Sequence, residues 1–92
     1  KPACVFTSSS SMHGGQESTL LTMMIPLLHH GMVLCGLPYS TPELHTTTSG
    51  GGPYGVSHLA QGENKNKLTS DEQTLCIEQG RRLAKFAAKL LD

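Results

Sequence analysis

Serine and glycine residues crowd one short segment near the start of the chain, from Thr7 to Gly15. Four consecutive serines, Ser8–Ser11, are followed by Met12, His13 and two glycines. An apolar, strand-like segment precedes them and a helical pattern follows, and parallel α/β proteins bind ligands at that kind of turn. Hydroxyls, free backbone N–H groups and small residues suit an anionic or carbonyl-bearing cofactor. An ordinary connecting loop is the alternative, because the segment lacks a phosphate-loop lysine and the GxGxxG pattern.

Histidines are the second candidate for chemistry, because His29 and His30 are consecutive at the end of the helical pattern. Adjacent residues of a helix point about 100° apart, so this pair does not easily chelate one metal ion. The other histidines, His13, His45 and His58, are scattered and form no HxxxH motif. We therefore expect no metal site. Capping of the helix's last carbonyls is an alternative role for one histidine of the pair.

A glycine run forms the third candidate, with Gly50–Gly52 followed directly by Pro53 and Tyr54. Three glycines before a Pro-Tyr step favour a mobile arm that ends in a rigid aromatic ring. A plain surface loop has the same composition. A hydrolase built on a nucleophile elbow is not indicated, since the chain contains no GxSxG motif.

The first elements of the chain predict a βαβ unit. Pro2–Thr7 is short and apolar, which is typical of a buried strand. A helix follows from Gln16; apolar residues cover more than half of its circumference, so we expect it to be largely enclosed. Pro26 interrupts this helix and Gly31 closes it. Met32–Leu37 then reads as a second strand, parallel to the first.

The second half of the chain predicts a long loop and a final helix. Glycine and proline are frequent between Pro38 and Lys67, and loops of this length are functional or disordered. Val56–Ala60 within it predicts a short strand. Thr69 and Glu72 form a capping box that starts a helix of about 20 residues. The predicted packing face of that helix consists of Leu75, Cys76, Gln79, Leu83, Phe86, Ala87 and Leu90.

The composition of the chain limits the kinds of partner that it can bind. The 92 residues carry a formal charge of zero with 15% charged residues, which argues against nucleic acid or an anionic membrane surface as partner. Cys4, Cys35 and Cys76 are odd in number and have apolar neighbours, so we expect reduced thiols in a cytoplasmic protein. The longest apolar run, Met23–Leu28, is too short to cross a bilayer. Since the chain starts directly in a strand, we expect it to be a piece of something longer.

Four strings carry a resemblance to a known family: Phe6–Ser9, His13–Glu17, Leu28–Met32 and Gly50–Gly55. They resemble the C-terminal half of WrbA-type NAD(P)H:quinone oxidoreductases, which are flavodoxin-like FMN proteins. The similarity keeps order and spacing, covers essentially the whole chain and includes the strings GGQE and LHHGM. It implies an α/β fold with a flavodoxin-like three-layer parallel sheet. Residues 1–92 would be the C-terminal part of that single domain.

The resemblance also implies a set of site residues. One side of FMN would be held by Ser9, Ser10, Ser11, Met12, His13 and Gly14. His29 would lie beside the flavin ring, where its imidazole could donate a hydrogen bond to the flavin or to a bound quinone. Gly50–Gly55 resembles an arm near the cofactor pocket. Many family members carry threonine and glycine where this chain has Met12 and His13, so these two side chains must point away from the flavin or reshape its rim.

The function implied by the resemblance is a two-electron reduction of quinones by NAD(P)H through FMN, with one pocket serving both substrates in turn. The full-length protein would be a homotetramer. A non-enzymatic flavodoxin-like protein of regulatory or binding function, as in the label of tryptophan-repressor binding, is the alternative.

Overall fold

Two helices lie on opposite faces of two short parallel strand pairs in the computed structural model, which describes residues 1–91. The elements in chain order are the strands and helices β1 (Pro2–Ala3), β2 (Phe6–Ser9), α1 (Gln16–His29), β3 (Val33–Leu34), α2 (Glu43–Thr46), β4 (Val56–Leu59), a 3₁₀ turn (Gly62–Asn64) and α3 (Ser70–Lys89).

The first two strands pair in parallel with the two later ones. β1 pairs with β3, with Pro2 opposite Val33, and β2 pairs with β4, with Phe6 opposite Val56. These pairings confirm the predicted βαβ unit and the short strand in the glycine-rich half of the chain. The second strand is shorter than its sequence predicts, because only two of the residues from 32 to 37 make regular pairing.

β3 and β4 lie in line along the same edge of β1 and β2. The carbonyls of Lys1, Ala3 and Ser9 accept backbone N–H groups from the chain that runs along this edge. These three residues are an even number of positions apart, and alternate carbonyls of an extended chain point to the same side. The two segments meet where the Leu37 N–H donates to the Pro53 carbonyl at 3.0 Å. Along the opposite edge, β1 and β2 pair with no strand from residues 1–91.

The three-layer arrangement follows from two consecutive residues of β4. The Ser57 hydroxyl donates to Gln16 of α1, whereas the next side chain, His58, bonds to Glu72 of α3. Successive side chains of a strand point to opposite faces, so α1 and α3 cover opposite faces of the sheet. This confirms the predicted α/β fold class, in the form of a partial flavodoxin-like fold.

Packing of α1 differs from the prediction. Only Gln16 and Leu20 are buried, although the helix was expected to be largely enclosed. The apolar side chains of Leu21, Met23, Ile25 and Leu28 are exposed to solvent. The sheet is too narrow to cover more than one stripe of an almost entirely apolar helix. Pro26 lies inside α1 without ending it, and Gly31, with φ of 73°, follows the C-terminus as predicted.

Helix α3 has the predicted length and the predicted capping box, in which Thr69 and Glu72 exchange hydrogen bonds of 2.9 and 3.1 Å. The prediction of its packing face is only partly correct. Leu75 and Gln79 are buried, whereas Ala87 and Leu90 are exposed. The last turns reach beyond the sheet, so within residues 1–91 there is little for them to pack on. Leu75 forms the main apolar cluster with Leu37 and Val56.

No helix within residues 1–91 has both the length and the apolar character needed to cross a bilayer. The three cysteines are free thiols, as predicted; Cys35 is buried as its apolar neighbours indicated, whereas Cys4 and Cys76, which were also expected to be buried, are only half-buried.

Candidate functional site

The serine-rich bend between β2 and α1 lies open at the carboxyl end of the strands. The Ser9 hydroxyl donates to the Ser11 carbonyl at 2.8 Å, and the Gly14 N–H donates to the same carbonyl at 3.2 Å. The Gln16 amide donates to the Ser9 hydroxyl at 2.8 Å, which ties the bend to the first turn of α1. Residues 10–14 are exposed. The sequence predicted this position at the strand-to-helix turn correctly.

Glycine is favoured at the end of the bend. A Cβ on Gly14 would lie 2.8 Å from the Ser11 hydroxyl and 3.2 Å from the Ser9 Cβ. Gly15 has φ of 82°, in the left-handed region, and precedes α1 without a side-chain cap. Because no side chain caps this helix, its first N–H groups can serve an external acceptor.

Met12 and His13 both lie on the surface of the bend, and the Met12 side chain is exposed. Neither residue fills the space beside β2 or β4. Their relation to a bound flavin stays a prediction.

His29 lies far from the bend along the helix. It is the last residue of α1, and the bend directly precedes the first residue. A helix of 14 residues is about 21 Å long at 1.5 Å per residue. His29 and His30 are both exposed, and the His30 N–H closes the helix on the Pro26 and Leu27 carbonyls. Within one copy of the chain, the bend and His29 therefore do not form one site.

The glycine segment is fixed, in contrast to the mobile arm that its composition favoured. The Gly50 N–H donates to the Glu72 carboxylate at 2.8 Å, and the Gly51 N–H donates to the Ser57 hydroxyl at 2.7 Å. Gly50 is buried, and a Cβ there would collide with the Ser57 carbonyl. Glycine is present here because the backbone packs closely against β4. Tyr54, at the end of the segment, is exposed.

Glu72 is the most enclosed charged residue in the described chain, with a solvent exposure of 0%. One carboxylate oxygen accepts the N–H groups of Gly50 and Leu59, each at 2.8 Å. The other accepts the Thr69 N–H and the Nδ1 of His58, each at 2.9 Å. Glu72 therefore connects the glycine segment, β4 and the start of α3. The sequence predicted only its capping role, because the other contacts come from residues distant in the chain.

Hydrogen bonding keeps Glu72 ionised. Burial by itself raises the pKa of this carboxyl, but the bonds from Leu59, Thr69, His58 and Gly50 together lower it to about 2. An ionised carboxylate only accepts, so the Nδ1 of His58 carries the hydrogen. Burial also raises the pKa of the neighbouring Cys76 thiol, and the negative charge of Glu72 adds to that effect. Both effects disfavour the thiolate, which is the reactive form of a cysteine.

Two buried glutamines complete this polar network. Gln79 accepts the Val56 N–H and donates to the Val5 carbonyl, both at 2.9 Å. Gln16 bonds to Ser57 on the other face of the sheet. Gln79 lies on the predicted packing face of α3, and a polar residue on such a face was the one sequence signal for this network.

A hollow of about 270 Å³ lies beside the start of α1. Gln16 and Leu20 form one wall, and Tyr39 and the segment 51–54 form the other. The hollow brings the glycine segment within reach of the first turn of α1, next to the bend. Within residues 1–91, no three His, Cys, Asp or Glu side chains are grouped so that they could hold a metal ion.

Taken together, these features define a class of protein: a parallel α/β fold with an open, hydroxyl-rich turn at the carboxyl end of its strands. In open sheets of this class that edge is the ligand-binding edge.

Comparison with known proteins gives a narrower result. A protein of Chromohalobacter salexigens named NAD(P)H dehydrogenase (quinone) is 46% identical over 87 residues, which are 92% of this chain and 43% of that protein. Proteins of the same name from Methanosarcina acetivorans and Rhizobium rhizogenes are 45% and 44% identical, over 98% and 99% of this chain and 44% and 47% of their own length. No family model matches the chain.

The chain is therefore similar over nearly its whole length to part of proteins named NAD(P)H dehydrogenase (quinone), which is consistent with the partial WrbA-type protein that its motifs predicted. It spans less than half the length of the curated relatives that it matches.

Proposed function

We propose that this chain is the C-terminal part of a single flavodoxin-like domain in an FMN-dependent NAD(P)H:quinone oxidoreductase. The observation that carries the proposal is the identity of 40 to 46%, over nearly the whole chain, to proteins named NAD(P)H dehydrogenase (quinone); FMN is the cofactor that the motif resemblance implies. The non-enzymatic alternative has no such support. FMN would supply two-electron transfer between NAD(P)H and a quinone.

The bend fits a role in holding one side of FMN. Its exposed serine hydroxyls can donate to and accept from polar ring atoms or a ribityl chain. The cofactor residues proposed are Ser9, Ser10, Ser11, Met12, His13 and Gly14. Donors for the FMN phosphate would come from outside the 92 residues.

His29 can lie in the same pocket as the bend only if the two come from different copies of the chain. The length of α1, about 21 Å, separates it from the bend of its own copy. We infer that His29 of one copy lies beside the flavin held by the bend of another, where the imidazole donates a hydrogen bond to flavin or quinone. This supports a homotetramer, or another closed assembly, for the whole protein.

Within residues 1–91, one edge of β1 and β2 is unpaired, which agrees with a chain that is only part of a domain. Phe6 is 70% exposed, and an apolar cavity of about 240 Å³ opens beside it on the α3 face. An unpaired strand edge presents N–H and C=O groups that another strand can pair with. The rest of the flavodoxin-like sheet would continue from this edge.

A chimeric protein tests the proposal. The 92 residues would replace the matching part of the Chromohalobacter salexigens relative, and the purified chimera would be assayed for NADH-dependent reduction of benzoquinone with added FMN. The expected result is turnover that depends on FMN. A chimera with the circular dichroism and assembly state of the whole relative, but without turnover, would contradict the enzymatic function.

A further inference from the structure

A groove of about 500 Å³ separates the loop after β3 from the second half of α3. Three cations of α3, Arg81, Arg82 and Lys85, lie along one wall, and the hydroxyl residues Ser40 and Thr41 lie along the other. The volume is typical of small-molecule sites. None of these residues belongs to the bend, to His29 or to the glycine segment, so the groove is separate from the flavin site proposed above.

Arg82 is positioned without an acidic partner. Its guanidinium carbon lies 4.8 Å from the centroid of the Phe86 ring, which holds the side chain by a cation–π contact. Within residues 1–91 its Nε is buried and has no hydrogen-bond partner. A buried donor without an acceptor is uncommon in folded proteins and costs free energy. An acceptor brought by a ligand would remove that cost after a small shift of the side chain.

The acidic residues of the groove do not pair with all of its cations. Glu78 pairs with Arg81. In the part of the chain that the structure describes, neither Arg82 nor Lys85 forms a salt bridge. Glu43 also lines the groove, where it opposes binding of an anion.

We propose that this groove binds the phosphate group of a small molecule. A planar guanidinium, an ammonium group and hydroxyl residues line it, and a tetrahedral oxyanion with several acceptors satisfies such donors better than a single carboxylate does. The phosphate could be free inorganic phosphate or part of a phosphomonoester.

Nuclear magnetic resonance of the ¹⁵N-labelled chimera described above tests this proposal at constant ionic strength. Addition of inorganic phosphate is expected to shift the Arg82 Nε–Hε signal in a saturable way, with a Kd of about 1 mM. Arg82→Gln should weaken binding at least about tenfold, and Glu43→Gln should tighten it by about twofold. Lys89→Gln, on the same helix but outside the groove, should leave the affinity unchanged.

Two further ligands complete the experiment. Adenosine 5′-monophosphate that binds more tightly than inorganic phosphate would identify a phosphomonoester, and equal affinity would identify the free ion; both results support the phosphate site. Acetate that binds as tightly as phosphate would overturn it, as would shifts that sodium chloride reproduces. Should Arg82→Gln unfold the chain, Lys85→Gln takes its place, and an unchanged affinity in that variant also overturns the proposal.

Discussion

At the scale of single residues, the hydrogen bonds of Glu72 explain how a chain with a small apolar core holds its loops in place. Its carboxylate receives four hydrogen bonds from three separate segments while it is fully buried. Charged hydrogen bonds of this kind are stronger than neutral ones, provided that the buried charge is fully satisfied.

Replacement of Glu72 tests this role. Glu72→Gln turns one acceptor oxygen into an NH₂ group that faces backbone donors, so we expect the free energy of unfolding in urea to fall by about 3 kcal/mol. Glu78→Gln is the matched control on the same helix, and its half-exposed pair with Arg81 should contribute less than about 0.5 kcal/mol. Equal losses in both variants would refute the role assigned to Glu72.

Acid unfolding provides a second prediction for the same carboxylate. Its pKa is about 2 in the folded chain and 4.5 ordinarily, so folding favours the ionised form. The stabilisation is complete above pH 4.5 and is lost as the pH falls from 4.5 to 2, by about 3 kcal/mol. Stability curves of the wild-type chain and Glu72→Gln should therefore converge in this window. Parallel curves would show that Glu72 titrates normally.

At the scale of elements, the glycine segment is held by close backbone packing. Gly50→Ala would drive a Cβ into the Ser57 carbonyl, and we expect a loss of about 2 kcal/mol in the free energy of unfolding. Gly80→Ala is the contrasting variant, since a Cβ there meets nothing within 4 Å in the interior of α3. It should stabilise the chain by about 0.5 to 1 kcal/mol. A stabilising Gly50→Ala would contradict the close packing.

Local signals in the sequence predicted most of these elements. The capping box located the start of α3, and the apolar runs located the strands. The short helix α2 and the 3₁₀ turn were not predicted, because glycine and proline hide short helical turns in a loop. The fixed glycine segment could not be predicted either, since its partners Ser57 and Glu72 act across long separations in sequence.

The exposed faces of α1 and α3 have a different cause. Apolar periodicity predicts which residues prefer burial, but it does not identify the element that buries them. Ile25 and Leu28 of α1 illustrate this, since both are apolar and both are exposed.

At the scale of the whole molecule, a site shared between copies makes a distinctive prediction for the chimera. His29→Ala should slow quinone reduction while FMN stays bound, and Gly14→Val should abolish FMN binding by distorting the bend. When the two impaired proteins are mixed and reassembled, the intact bend of one copy meets the intact His29 of the other. About a quarter of the wild-type activity should return. No recovery after confirmed subunit exchange would argue against a shared site.

Titration at 450 nm measures how much FMN the chimera and the 92 residues each bind. The chimera should bind one FMN per chain. The 92 residues alone should bind FMN at least about tenfold more weakly, because they contain one side of the site and no donors for the phosphate. Equally tight binding by the 92 residues alone, or a folded chimera that binds no FMN, would contradict the proposed FMN site.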